Sequence, residues 1–436
     1  MEKSAARQRM GWYFYDWANS AYTTSVVTVF LGPYLTSIAA NGADAQGNVS
    51  ALGMIFPAGS FFPYLVSISV LLQVFLLPVL GAYADYTHRK KMYMLCCGIA
   101  GALATTAMYM IHGNNFLFGG ALFLIANSCY GASIVFYNAI LPQISDLKQR
   151  DAVSANGFAW GYMGGGILLL LNFILFLNKE SLNISTADAA RICICSAGIW
   201  WLIFSFFPFR WIQNEQKTDS GNHWNWRLGP QQLMHTIRIL RKSPHTLLFI
   251  CAFMLYNDGV QTVISMASQF GQEEIGLSLA QLQTAILLVQ FVGFFGAHMF
   301  KWIAGRLNAK NAILISLFLW IGVLLYAHGF LPKQDALAFY CLSAVIAIVL
   351  GGSQALSRSL FTTMIPEGRE SEYFSLYEIS DRGTSWLGPL FFGLAFQFTG
   401  SYRIAILSLI FFFFTGALLL LRVDTTRAQC EAAARG

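Results

Sequence analysis

Tyr15-Asp16-Trp17-Ala18-Asn19-Ser20-Ala21-Tyr22 stands at the head of a long apolar run and carries a carboxylate where a lipid-facing helix has none. An ionisable group inside a transmembrane segment costs about 2.5–3.5 kcal/mol on the insertion scale, so it faces a bundle interior or a water-filled path. At ~100° per residue, Asp16, Asn19, Ser20 and Thr23 share one side of a helix, opposite Val26, Val29 and Phe30. A later stretch, Tyr256-Asn257-Asp258-Gly259-Val260-Gln261-Thr262, again sets an acid, an amide and a hydroxyl inside an apolar segment. Together the two read as related halves enclosing a polar path.

The rest of the chain agrees with a membrane setting. Its 436 residues are 56% hydrophobic and only 11% charged, too little charge to cover a water-soluble surface. The net charge of +6 does not point to nucleic acid, because the basic residues sit in short loops between apolar runs. The eight cysteines lie mostly within apolar segments without paired metal spacing, and the seven histidines are dispersed, so no metal site is expected. Phosphate-loop, zinc-protease and nucleophile-elbow patterns are missing, so neither an enzyme nor a cofactor is expected. After Lys3, Arg7 and Arg9 the apolar stretch runs well past the length of a signal-peptide core, so the first helix is expected to stay in the mature protein.

A hydrocarbon core of about 30 Å requires about 20 apolar residues per helix. That ruler predicts spans near 12–38, 61–84, 92–112, 116–141, 153–177, 191–212, 246–270, 279–303, 311–330, 336–364, 373–398 and 402–421. One set of alternate loops collects nearly all of the lysines and arginines, including Arg89, Lys90, Lys91, Arg150, Arg210, Lys301 and Arg422. The other set holds only Lys179, Arg191, Lys333 and Arg403. By the positive-inside rule both termini are expected in the cytoplasm. The longest break in hydrophobicity follows the sixth span. The expected organisation is therefore a six-helix bundle over 1–213, a cytoplasmic linker over 214–244 and a second six-helix bundle over 245–436. Within the linker, Leu233, Met234, Ile237 and Leu240 form a helical apolar stripe beside Arg238, Arg241 and Lys242; a helix on the inner leaflet and a solvated connector fit equally well. One constant offset carries Ser133 onto Ser357, Pro142 onto Pro366 and Gly164 onto Gly388, as a parallel six-plus-six repeat would. The expected fold is all-α and integral to the membrane, with twelve transmembrane helices in two pseudo-symmetric six-helix bundles.

Between the second and third spans lies Gly81-Ala82-Tyr83-Ala84-Asp85-Tyr86-Thr87-His88-Arg89-Lys90-Lys91, in which Gly81, Asp85 and Arg89 follow one another at helical-turn intervals. This resembles the loop signature of the major facilitator superfamily, with Tyr86 and His88 departing from it. The resemblance implies that Gly81, Asp85 and Arg89 help to latch the two halves in one conformation. The competing reading of the stretch is a positive-inside stop signal. In the second half the same offset puts Gly305 on Gly81 but Ala309 where the acid would stand, so the latch is expected on one side only. Residues 15–22, together with 255–262, Gly351-Gly352-Ser353-Gln354-Ala355-Leu356-Ser357-Arg358-Ser359 and Glu372-Tyr373-Phe374-Ser375-Leu376-Tyr377, resemble the autophagy-related vacuolar effluxer branch of that superfamily and its bacterial members. The resemblance spans nearly the whole chain, although Ser375 stands where the branch has glycine. It implies a secondary transporter, with amino-acid export the activity attached to the fungal members, and a bacterial inner-membrane location.

Apart from Arg191, Arg210, Lys301 and Arg403 at span ends, the charged residues within the spans are Asp16, Asp258, Arg358, Glu378, Asp381 and Arg382. Unpaired, six such groups would cost about 15–20 kcal/mol on the insertion scale, so each must pair or be hydrated. The expected solute and ion site draws on Asp16, Asn19, Tyr22, Asn138, Tyr256, Asn257, Asp258, Gln261, Gln354 and Arg358, and Glu378, Asp381 and Arg382 are assigned to the latch. Acids and amides suit an ammonium and Arg358 suits a carboxylate. Either Asp16 or Asp258 suits a coupling proton, although interhelical capping also accounts for both. Glu378 and Arg382, four residues apart, also read as a structural pair. The fifth span carries Gly157, Gly161, Gly164, Gly165 and Gly166, resembling the superfamily's antiporter signature with Tyr162 in place of its proline; tight helix packing explains the glycines nearly as well.

The expectation is thus a monomeric secondary active transporter for a small polar or zwitterionic solute, working by alternating access with a proton as the candidate coupling ion, and with export slightly favoured. Its partners would be that solute, protons and the lipid bilayer, with no nucleic acid. The competing readings are a non-transporting membrane receptor or scaffold that keeps the fold, and a carrier of another solute such as a metal-chelating small molecule.

Overall fold

A computed structural model describes residues 2–51, 53–213, 243–382 and 387–434. The linker stripe at Leu233, Met234, Ile237 and Leu240 lies outside the described residues. Among those described, 11 helices are long and apolar enough to cross a membrane, from Ser4–Asn41 to Tyr402–Arg422. The protein is an integral membrane protein with multiple spans, and its large apolar side chains face outward as lipid contact requires: Phe75, Phe295, Phe318 and Phe398 are all more than half exposed. The span expected at 373–398 is not described as one helix. It is represented by Glu370–Arg382 and Leu387–Thr399, with residues 383–386 between them outside the described set.

Local sequence explains the irregular points. The first span passes from α-helix into a π-helical stretch, Tyr22–Phe30, before resuming at Leu31–Asn41. That stretch is rich in β-branched residues, which crowd the preceding turn of an α-helix. There the Thr28 hydroxyl donates to the Thr23 carbonyl at 2.8 Å, five residues back, and the Leu31 amide reaches the Val26 carbonyl at the same interval. Several helix starts are capped by side chains that satisfy free amides. Ser278 and Gln281 form a reciprocal box ahead of Leu279–Leu307, Asp335 accepts the Ala338 amide, and Ser185 accepts the Asp188 amide. Among the described residues the one strand pair is Asn48–Ala51 with Met54–Pro57, antiparallel and between the first two spans in sequence.

The chain gathers into two compact units. The first comprises residues 1–80, 87–137 and 160–220. Its centre is the contact of the first helix with the glycines of the fifth span. A methyl group on Gly164 would lie 2.4 Å from the Trp17 carbonyl oxygen, one on Gly161 2.7 Å from Ser20 Oγ, and one on Gly165 2.7 Å from Thr24 Oγ1. These glycines let two backbones meet, which is the close-packing reading of the stripe.

The second unit comprises residues 81–86, 138–159 and 221–436. Short pieces of the second, fourth and fifth spans therefore pack with the second half of the chain. At the far end of this unit, Arg403 ties three elements together. It donates to Glu274 Oε1 at 2.8 Å and to the carbonyls of His328 and Leu331 at 3.0 and 2.7 Å.

Candidate solute and gating site

In the first unit, the expected polar face of the opening helix is buried. Asp16 is 8% exposed, and its Oδ2 accepts the Tyr137 hydroxyl at 3.1 Å. Tyr137 is itself fixed, because the Trp12 indole stacks on its ring with centroids 4.2 Å apart and donates to its carbonyl at 2.8 Å. Asn19 turns back on its own helix and donates to the Tyr15 carbonyl at 2.7 Å. Tyr22 packs its ring against Tyr130 and Trp201. Of the four residues that helical spacing put on one face, Asp16 and Asn19 are buried and Ser20 and Thr23 are half-buried, while Tyr137, which holds the acid, was not singled out from the sequence.

The second unit carries the larger polar network. Arg358, on Ala336–Thr362, is 4% exposed. Its Nε donates to Ser154 Oγ at 3.0 Å, its Nη2 to the Ser154 carbonyl at 2.8 Å and its Nη1 to Asn138 Oδ1 at 3.3 Å. The guanidinium lies over the Phe158 ring, 4.1 Å from Cζ to centroid. The other end of the Asn138 amide donates from Nδ2 to Glu378 Oε1 at 3.0 Å. Asn138 therefore stands between a buried cation and a buried anion. Below this point Ser359 donates to Asp151 Oδ1 at 2.5 Å, and Arg150 donates to the carbonyls of Thr362 and Ser145.

The seventh-span stretch is engaged rather than open. The Tyr256 and Ser357 hydroxyls share a hydrogen bond of 2.6 Å. Asn257 Nδ2 donates to Asp381 Oδ1 at 2.6 Å. Asp258 is 1% exposed; its Oδ2 accepts the Gly388 amide at 2.8 Å, in the first turn of Leu387–Thr399, where a helix presents unbonded N–H groups. Among the described residues its Oδ1 has no hydrogen-bond partner. A methyl group on Gly388 would sit 1.9 Å from Thr262 Oγ1, so glycine is needed for that amide to reach the acid. Gln261 and Gln354 are half-buried on the same helices as Asp258 and Arg358 respectively. The side chain of Arg382 lies outside the described residues, so its pairing with Glu378 is not described.

Of the loop residues, Asp85 and Gly81 meet the second half of the chain and Arg89 does not share their unit. Asp85 Oδ1 accepts the Ser371 amide at 3.1 Å and Oδ2 accepts the Glu372 amide at 2.8 Å. The carboxylate thereby caps the start of Glu370–Arg382, where the helix dipole favours negative charge. A methyl group on Gly81 would lie 2.6 Å from the Ser371 carbonyl oxygen, so only glycine permits this approach. On the same turn Arg369 clamps Glu372 with two bonds of 2.8 Å. Arg89 is exposed at the start of Lys90–Ala107, in the other compact unit.

Ser154, Phe158, Asp151 and Ser359 were not expected. A signal for them did exist: Asp151, Ser154 and Phe158 recur at helical spacing in the fifth span, and a hydroxyl or acid on such a stripe needs a partner.

Comparison with known proteins places this geometry. The family described as vacuole effluxer Atg22 like matches residues 4–146 and 143–433. An uncharacterized MFS-type transporter, YxiO, of Bacillus subtilis is 28% identical over 96% of this chain and 95% of its own. Autophagy-related protein 22 of Eremothecium gossypii is 26% identical over 98% of this chain and 92% of its own. Among solved structures, the major facilitator transporter FucP in its outward conformation aligns with a TM-score of 0.66 at 13% identity, over 97% of this chain and 99% of that one. The proton:xylose symporter XylE aligns with a TM-score of 0.68 at 12% identity, over 99% and 98%. These last two show the shared fold, which is all-α with twelve transmembrane helices of major facilitator type, and the relatives are named as transporters and effluxers rather than as enzymes. With its buried acids, its capped helix starts and a family match along nearly its whole length, the chain belongs to the Atg22-like vacuole effluxer family of major facilitator transporters.

Proposed function

We propose that this protein is a proton-coupled secondary transporter that moves a small zwitterionic, amino-acid-like solute by alternating access, with export as its working direction. In this reading the moving bodies are the two six-helix halves, 1–213 and 245–436, joined by 214–244, and the protein acts as a monomer in a bacterial inner membrane with both termini cytoplasmic. The observation that carries the proposal is Asp258. It is a carboxylate buried within a span, with one oxygen on a helix-start amide and the other without a hydrogen-bond partner among the described residues. A buried acid with an open oxygen is chemically suited to take and release a proton. Asn257, Tyr256 and Gln261 lie beside it in the sequence, and Asn257 links it to the helix of Asp381.

The family description as an effluxer supports export, and the basic residues concentrated in one set of loops support cytoplasmic termini. Asp16 and Arg358 complete the site as further charged groups of the path, and Gly81 with Asp85 supplies the latch. The test is counterflow in proteoliposomes with amino acids, peptides, nucleosides and metal-chelating small molecules, with and without a pH gradient. Accumulation of a labelled amino acid that rises with an imposed proton gradient is the expected result. Gradient-independent flux of an uncharged or purely anionic solute would overturn the reading.

A further inference from the structure

Where Ile410–Arg422 gives way to the helix Thr425–Ala433, the Val423–Asp424 peptide group is held at both ends by other spans. Lys310, on Ala309–Gly329, donates its ammonium to the Val423 carbonyl at 2.8 Å and to the Leu421 carbonyl at 2.9 Å. The Asp424 amide in turn donates to His245 Nδ1 at 3.2 Å. His245 lies in the first turn of Pro244–Gln269, on which Thr425–Ala433 packs. A backbone N–H only donates, so Nδ1 must be bare and the imidazole neutral, with its hydrogen on Nε2. Protonation puts a hydrogen on both ring nitrogens and abolishes the acceptor. Histidine is the side chain that ordinarily gains and loses its proton between about pH 5 and 8. His245 is only half-buried, so water can deliver that proton.

We infer that the helix Thr425–Ala433 is a pH-operated cover, docked while His245 is neutral and released when the imidazole takes up a proton. The charges around the ring set this direction. Asp424 is the acid beside it, and its oxygens are already engaged: Oδ1 accepts the Thr426 and Arg427 amides, and Oδ2 lies 3.3 Å from Arg427 Nε. Glu431 stands two turns further along the same helix. Against an imidazolium are Lys310 at the other end of the peptide group, Arg427, and Arg422 at the end of Ile410–Arg422. Arg241 and Lys242 precede it in the sequence, and the start of Pro244–Gln269 adds partial positive charge. The undocked helix therefore binds more protons than the docked one, and docking weakens as pH falls. Thr425 and Gln429 line a cavity of about 290 Å³ together with Leu147, Asp151, Leu360 and Thr363. Asp151 accepts the Ser359 hydroxyl, and Ser154, one turn further along the helix of Asp151, holds Arg358. Release thus uncovers that end of the buried network. Under the orientation proposed above the compartment sensed is the cytoplasm, but the release itself does not depend on that reading.

The test is hydrogen exchange in the full-length protein in proteoliposomes, followed in a peptide covering residues 425–433 from pH 8 down to pH 5. Each rate is divided by the intrinsic rate at that pH, so that only protection is compared. Asp424 stays ionised across this window, because the Arg427 and Thr426 amides hold its carboxyl below the usual range. The wild type is expected to lose protection by about 3- to 10-fold on acidification, as loss of one neutral hydrogen bond implies. His245→Asn sets an amide oxygen near the place of Nδ1 and does not titrate, so its helix should stay protected with a flat profile; His245→Gln, with a longer reach, serves if the asparagine falls short. His245→Leu removes the acceptor and should be weakly protected at both ends of the window. The other histidines are unchanged in every variant and cannot supply the difference. A flat wild-type profile, or a step of wild-type size in His245→Asn and His245→Gln, would overturn the inference.

Discussion

Removing the Asp85 carboxylate should release the start of the helix Glu370–Arg382, and the size of the effect follows from the two bonds it makes. Oδ1 and Oδ2 accept the amides of Ser371 and Glu372 at 3.1 and 2.8 Å. Hydrogen bonds to a charged group contribute about 1.5–3 kcal/mol each, so the pair amounts to about 3–6 kcal/mol before the desolvation of a buried acid is set against it. Asp85→Asn keeps one acceptor oxygen and loses one bond. At about 1.4 kcal/mol per factor of ten, its loss corresponds to about 10- to 100-fold in the opening equilibrium. Asp85→Ala loses both bonds and should open further. Hydrogen exchange in a peptide covering residues 370–376 reads this directly, because the Ser371 and Glu372 amides are the ones released. Gly81→Ala provides an independent check that leaves the acid in place: its methyl group would meet the Ser371 carbonyl oxygen at 2.6 Å and force the same opening. If exchange at 370–376 is unchanged in all three variants, this contact does not hold the helix and the latch reading fails.

Asp258→Asn should fold, since an asparagine still offers an acceptor to the Gly388 amide, yet it should lose flux driven by a pH gradient; gradient-driven flux at the wild-type level would remove the proton from Asp258. Gly164→Ala should destabilise the protein by about 1–3 kcal/mol, because its methyl group would meet the Trp17 carbonyl oxygen at 2.4 Å and backbone cannot step aside as a side chain can. Gly305→Ala, where nothing lies within 4 Å, is the matched control, and equal thermal unfolding of the two would refute the packing argument. Asp424 accepts the amides of Arg427 and Thr426 at 3.1 and 3.0 Å, and these bonds, the Arg427 amide foremost, hold its carboxyl below the usual range. A depressed acid stabilises the fold above its ordinary pKa and loses that contribution as pH falls through the lowered value. Exchange protection of Thr425–Ala433 should therefore fall in acid below about pH 4 in the wild type and stay flat in Asp424→Ala, and identical pH profiles would count against the cap.

Membrane setting, most span positions and family were legible in the residues alone. Those features depend on run length, composition and short motifs, which are local properties of the chain. The sequence also singled out Asp16, Asp258, Arg358 and Glu378, because an ionisable residue in an apolar span is anomalous wherever its partners lie. Their partners were not legible. Asp85 reaches two backbone amides, Asp258 reaches the amide of Gly388, and Arg358 is shared between Ser154, Phe158 and Asn138. Backbone amides are identical at every position, so no residue type announces which of them will be left unbonded at a helix start. Asn138 and Ser154 are separated from Arg358 by more than two hundred residues. Which face of one helix meets which face of another is set by the rotation and packing of whole helices, and it is that packing which brings an amide from the first half of the chain between two charges of the second.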